Sequence, residues 1–238
     1  MGAEMPENAV RLYHFDEKLR RMIFRAIQTI EIALRTQTIH VFSRQFGPFW
    51  FVDETLAGNA RMQEENIAKV KIELKRAHED FLKSHYKRYD EPMFPPAWKT
   101  LEVLSFGTLS KLFCNINKND AKKEVARNFG LPQHLFLESW MISMAVLRNC
   151  CAHHGHLWNR KFSKPPQMPE SLSRPWIDVK NVDRNKLYAQ LSCLVYWYNS
   201  IEPNNGFVQE FKQLLEQYPE VDVKAMGFPN GWEDRIFQ

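Results

Sequence analysis

The sequence predicts an all-α protein, a helical bundle of long antiparallel helices with additional helices toward the C-terminus. Three observations carry this. Apolar residues recur at three-to-four spacing over long windows, the alternation typical of strands is nearly absent, and the periodic segments are punctuated by glycine and proline. The chain has 238 residues, 44% of them hydrophobic and 13% aromatic, enough to bury one large domain or two closely packed ones. We expect a single domain over residues 10–238, with residues 1–9 a flexible N-terminal segment.

The first helix is expected from Asp16 to about Gln45, with Leu19, Ile23, Ala26, Ile30, Ala33 and Leu34 as its apolar stripe. Asp16 reads as its N-cap and Gly47-Pro48 as its stop. After an aromatic loop, a second helix is expected from Arg61 to His85, with Ile67, Val70, Leu74, Ala77 and Phe81 inward and Glu64, Lys69, Glu73 and Arg76 on a solvated face. "YDEPMFPPAW" is a proline-rich break. "KTLEVLSFGTLSKLFCNI" reads as a helix interrupted at Gly107, and "NDAKKEVARNFG" as a helix capped by Asn119 and stopped by Gly130. From about Pro132 a helix carries Phe136, Trp140, Met144, Leu147 and Cys151 on its apolar face. A long polar loop follows, then two terminal helices, "DRNKLYAQLSCLVYWYNSI" and "NGFVQEFKQLLEQY", and a turn-rich tail.

Composition narrows the function classes. A net charge of +4 permits a polyanionic partner without demanding one. Four cysteines without a C-x-x-C pair fit a reduced, cytoplasmic protein. No transmembrane helix, signal peptide or membrane association is expected.

The densest chemistry is "RNCCAHHGHLWNR", Arg148 to Arg160. Asn149 and His153 are four apart at the end of a helix and share a face. Arg148 sits about 100° to one side, within reach of the same face. A guanidinium fork beside an imidazole suits a phosphodiester, because arginine binds phosphate oxygens bidentately and histidine moves protons near neutral pH. Three other readings compete. Histidine and arginine at a helix C-terminus complement its dipole. His153, His154 and His156 with Cys150 form a metal reading, disfavoured because the i, i+4 helical spacing is missing. Cys150 beside histidines forms a thiol reading, against which buried structural cysteine is the better account.

This stretch resembles the signature of the Abi-like (abortive infection) proteins of the HEPN superfamily, close to R-N-x-C-A-H-H-x-R-L-W-N-R. His156 stands where the pattern has arginine. "LYHFDEKLRRMIFRAIQTIEIALRTQ", with Asp16, Leu19-Arg20, Glu31 and Arg35, resembles the family's N-terminal helix. "LSFGTLSKLF" and "MGFPNGW" resemble its central and C-terminal segments, so the likeness spans Val10 to Trp232.

The resemblance implies a HEPN-like helical core and metal-independent RNA cleavage, in bacterial defence against phage, without a cofactor. The RNA's own 2′-OH attacks the adjacent phosphate, leaving 2′,3′-cyclic phosphate and 5′-OH ends. His153 then serves as general base or acid, Arg148 stabilises the transition state, and Asn149 orients phosphate or imidazole. A homodimer forming a composite site is expected, with RNA as substrate and a regulatory RNA or antitoxin as a further partner. His154, His156, Trp158, Asn159 and Arg160 are expected to shape the site or bind RNA, with Trp158 either stacking on a base or anchoring the core, and Lys161 and Lys164 either contacting phosphate or standing solvated. Glu31 and Arg35 are expected to pair and to pack against the Arg148 helix. The alternative is a non-catalytic RNA-binding or scaffold module of the same fold.

Overall fold

The computed structural model describes residues 7–232. Among the described residues there are nine α-helices and no strand, only an isolated bridge between Ala57 and Ile116, so the all-α expectation holds. The helices are α1 (Glu7–Phe46), α2 (Ala60–Arg76), α3 (Asp80–Arg88), α4 (Ala97–Thr100), α5 (Phe106–Asn115), α6 (Asn119–Asn128), α7 (His134–Ala152), α8 (Leu187–Ile201) and α9 (Phe207–Gln217). The chain forms two compact units. One holds residues up to Ile30 and from Ser139 onward; the other holds Glu31 to Glu138. Residues 1–6 of the expected N-terminal segment lie outside the described residues, and Glu7 to Ala9 open α1.

In the first unit, α8 is buried on every side from Leu187 to Tyr198, as a helix apolar all round must be. Phe15, Leu19, Ile23, Ala26 and Ile27 of α1 and Trp140, Met144 and Leu147 of α7 join this core. The loop after α7 is tied down along its length. Trp140 Nε1 donates to the Gln167 carbonyl at 2.7 Å, Trp176 stacks on Trp140 at 5.8 Å, and Trp176 Nε1 donates to the Pro169 carbonyl at 2.9 Å. The tail packs Phe228 and Trp232 against Phe211 of α9.

The second unit seats α2 against α5. Glu73 is not on a solvated face. Its carboxylate accepts the Ser105 N–H at 2.7 Å and the Thr108 hydroxyl at 2.7 Å, reinforcing the Ser105 N-cap of α5. Gly47, at φ +82°, closes α1 as the left-handed stop, its N–H donating to the Ser43 carbonyl at 3.0 Å.

Four further local expectations are corrected. Between Pro6 and Gly47 no glycine or proline interrupts the chain, so α1 starts at Glu7 and Asp16 is an interior residue, not a cap. The expected second helix is two helices, broken at the extended Ala77, where basic Lys75-Arg76 end α2 and acidic Asp80 opens α3. Gly107 lies inside α5; the break precedes it, at extended Leu104. Asn119 is the first helical residue of α6, and Lys118 occupies the cap position.

Candidate active site at the end of α7

The end of α7 is a Schellman turn made without glycine at its left-handed position. The His153 N–H makes a last helical bond to the Asn149 carbonyl at 3.0 Å. His154 takes φ +56°, its N–H reaching the Cys151 carbonyl at 3.3 Å, while the Gly155 N–H reaches the Cys150 carbonyl at 2.8 Å. Glycine is required one residue later for space. A Cβ on Gly155 would stand 2.8 Å from Cys150 Sγ and 3.2 Å from the Cys150 carbonyl oxygen. The chain therefore reverses directly behind His153.

The returning loop is held from α1. The Asp16 carboxylate accepts the Leu157 N–H at 2.9 Å and the Trp158 N–H at 2.8 Å. Arg20, one turn along α1, pairs with Asp16 and donates to the Gly155 carbonyl at 3.4 Å. Both charged side chains are buried, and Leu157 is wholly buried beside them. Beyond Leu157, the Trp158 indole donates to the Asp222 carbonyl at 3.3 Å. Asn159, at φ +54°, accepts from Lys186 Nζ at 2.7 Å. The Arg160 N–H closes a turn onto the Leu157 carbonyl at 3.1 Å, and its guanidinium bonds the His156 carbonyl at 3.3 Å. In this geometry Trp158, Asn159 and Arg160 fix the loop, and the His156 side chain is exposed.

Arg148, Asn149 and His153 are placed differently. Asn149 and His153 are exposed and Arg148 half-buried. Arg148 approaches its neighbour's Asn149 Oδ1 at 3.5 Å, and its guanidinium lies 5.6 Å from the centre of the Phe24 ring on α1. No carboxylate among the described residues pairs with Arg148. His154 is exposed at the turn, and Lys161 and Lys164 are exposed on the loop. Glu31 and Arg35 do form an i, i+4 pair at 2.8 Å, nearly buried. Arg35 also donates to the Leu104 carbonyl at 2.9 Å, so within the second unit the pair ties α1 to the turn before α5.

The thiols are not poised for nucleophilic work. Burial raises the Cys150 pKa and pushes that of Cys151 up to about 12, so neither is a thiolate near neutral pH. Among the described residues, no three His, Cys, Asp or Glu side chains stand together as a metal ion would need. None of the helices there is long and apolar enough to cross a membrane.

Sequence reasoning missed Asp16 and Arg20 as parts of this site. The available signal was two opposite charges, i, i+4, inside the apolar stripe of α1, where unpaired charges are not tolerated.

The family model described as Abi-like protein matches residues 4–159, from ahead of α1 to Asn159 in the anchored loop. The C-terminal "MGFPNGW" lies beyond the match. No curated protein matches the chain, and no solved structure does.

Proposed function

The chain belongs to the Abi-like family, and we propose that it is a metal-independent endoribonuclease of the HEPN type, acting in abortive infection. One observation carries the reading. The anchored loop engages the side chains of Trp158, Asn159 and Arg160, while Arg148, Asn149 and His153 stand together at the end of α7 without a carboxylate partner among the described residues, as do the exposed His154 and His156 beside them. Structure alone does not require an arginine fork and an imidazole there, whereas phosphodiester chemistry does.

In the proposed reaction His153 takes the proton from the RNA 2′-OH. The 2′ oxygen bonds to the adjacent phosphorus, the P–O5′ bond breaks, and the leaving oxygen is protonated as a 5′-OH. Arg148 holds the phosphoryl oxygens through the negative transition state, and Asn149 orients them. One chain supplies one such set. In a homodimer, His153 of a second copy supplies the acid while the first supplies the base.

The test is incubation of the purified protein with mixed RNAs, with and without a chelator, reading the ends produced. Cleavage to 2′,3′-cyclic phosphate ends that survives chelation and is lost in Arg148→Ala and His153→Ala supports the reading. RNA bound but never cut would instead fit a non-catalytic RNA-binding module of the same fold.

A further inference from the structure

We propose that Phe24 is the positioning residue for Arg148, a role that rests on the nuclease reading above. Several other arginines of this chain are held by carboxylates. Arg20 is paired with Asp16, Arg35 with Glu31, Arg25 with Glu210, and Arg44 with Glu124, whereas Arg160 and Arg174 lie over the rings of Phe162 and Tyr196. In each pair a carboxylate takes in-plane N–H donors and offsets the charge. Arg148 is held by a ring: its guanidinium carbon lies 5.6 Å from the Phe24 centroid, and its one polar contact among the described residues is the 3.5 Å approach to Asn149.

The difference matters for phosphate. An aromatic face attracts a cation through its quadrupole and leaves the edge donors free. Bidentate recognition of a phosphodiester uses those edge donors, and the transition state needs the uncompensated positive charge. A carboxylate in the place of Phe24 would hold the arginine equally well and cancel what it is there to supply. The ring also limits a long, rotamer-rich side chain, so less freedom is lost when phosphate arrives.

Phe24 is half-buried and stands one turn after Arg20 on α1. One side of α1 thus sets both halves of the site. Arg20 bonds the Gly155 carbonyl behind His153, and Phe24 carries the guanidinium beside it.

The test compares Phe24→Leu and Phe24→Met, which remove the ring and keep apolar bulk, with Phe24→Trp, which keeps a ring. Three readouts are needed: kcat and KM for RNA cleavage, the thermal midpoint, and the Arg148 guanidinium signal in 15N NMR, assigned with Arg148→Lys. The expected result is a fall in kcat of about fivefold in both ringless variants, at unchanged midpoint, with Phe24→Trp near wild type. The Arg148 signal should lose its ring-current shift in the ringless variants alone. Cleavage within twofold of wild type in both ringless variants overturns the inference. So does an equal loss in Phe24→Trp, or an Arg148 signal indifferent to the ring. A wild type that cuts no RNA overturns the nuclease reading instead, and the Arg148 signal then decides the stack alone.

Discussion

Asp16 on α1 holds Leu157 in the loop behind the motif, its two carboxylate oxygens lying 2.9 and 3.1 Å from the Leu157 N–H. The same carboxylate pairs with buried Arg20. Removing one member of a buried pair leaves the other charged and uncompensated, a cost of about 3–5 kcal/mol. Asp16→Ala is expected to lower the unfolding free energy in urea by about that much. Asp16→Leu combined with Arg20→Met should be less damaging than Asp16→Ala alone, because no orphan charge remains. If the double variant is the less stable, the tether to Leu157 and Trp158 outweighs the charge.

Arg148 and His153 should separate activity from stability. His153 is exposed, and Arg148 makes no ion pair among the described residues. Substitutions away from buried networks change stability by roughly 0.5 kcal/mol or less. Arg148→Ala and His153→Ala are expected to melt like wild type and to lose RNA cleavage. Arg148→Lys should also lose most activity, since an ammonium lacks the planar fork. A large drop in midpoint for His153→Ala would show that the residue is a helix-end support.

The turn after α7 makes opposite demands at adjacent positions. His154 occupies the left-handed region, at φ +56°, where a non-glycine residue costs about 1–2 kcal/mol. His154→Gly is therefore expected to stabilise the fold by roughly 0.5–1 kcal/mol, part of the strain being offset by glycine's added unfolded-state entropy. Gly155→Ala is expected to destabilise it by about 1–3 kcal/mol, because the new methyl meets Cys150 Sγ at 2.8 Å. Thermal unfolding of the two variants checks both signs.

The cysteines of the motif should be silent. Burial raises the Cys150 pKa, and Cys151 is pushed to about 12, so thiolate is scarce near neutral pH. Native protein treated with N-ethylmaleimide is expected to label slowly at both and to keep the proposed RNA cleavage, while urea-unfolded protein labels promptly. Fast native labelling at Cys150 accompanied by loss of cleavage would restore a chemical role for the thiol.

Periodicity made helices such as α1 and α2 legible because each buries one face, through Leu19 and Ile23 on α1 and Val70 and Leu74 on α2. It could not place Asp16. A carboxylate at the start of an apolar stripe looks like an N-cap; its i, i+4 spacing to Arg20 hints at a buried pair, but the fold is needed to show that its oxygens serve Leu157 and Trp158, which lie 141 and 142 residues away. Glu73 hid in the same way, as a surface acid whose partner is the N-terminus of α5. The placement of Arg148, Asn149 and His153 together at a helix end was readable from local spacing. Phe24 was not, since its partner comes from another helix.

His85 gives the fold a pH dependence of definite sign. Its imidazole is buried on α3, in contact with the rings of Tyr86 and Tyr89, and its Nε2 has no hydrogen-bond partner among the described residues. Burial first, and the Lys99 cation second, lower its pKa below the ordinary 6.5. In the unfolded chain the ring protonates near that ordinary value, while the folded ring resists. Below it the unfolded state therefore binds more protons, so stability is full above about pH 6.5 and is lost as the pH falls through the folded-state pKa. His134 is lowered too, by burial, and contributes with the same sign. His85→Leu fills the site without a titrating group. The loss of unfolding free energy between about pH 7 and about pH 5 should be smaller in this variant than in wild type. Equal losses would mean that His85 is charged in the folded protein, or that its burial is relieved by water.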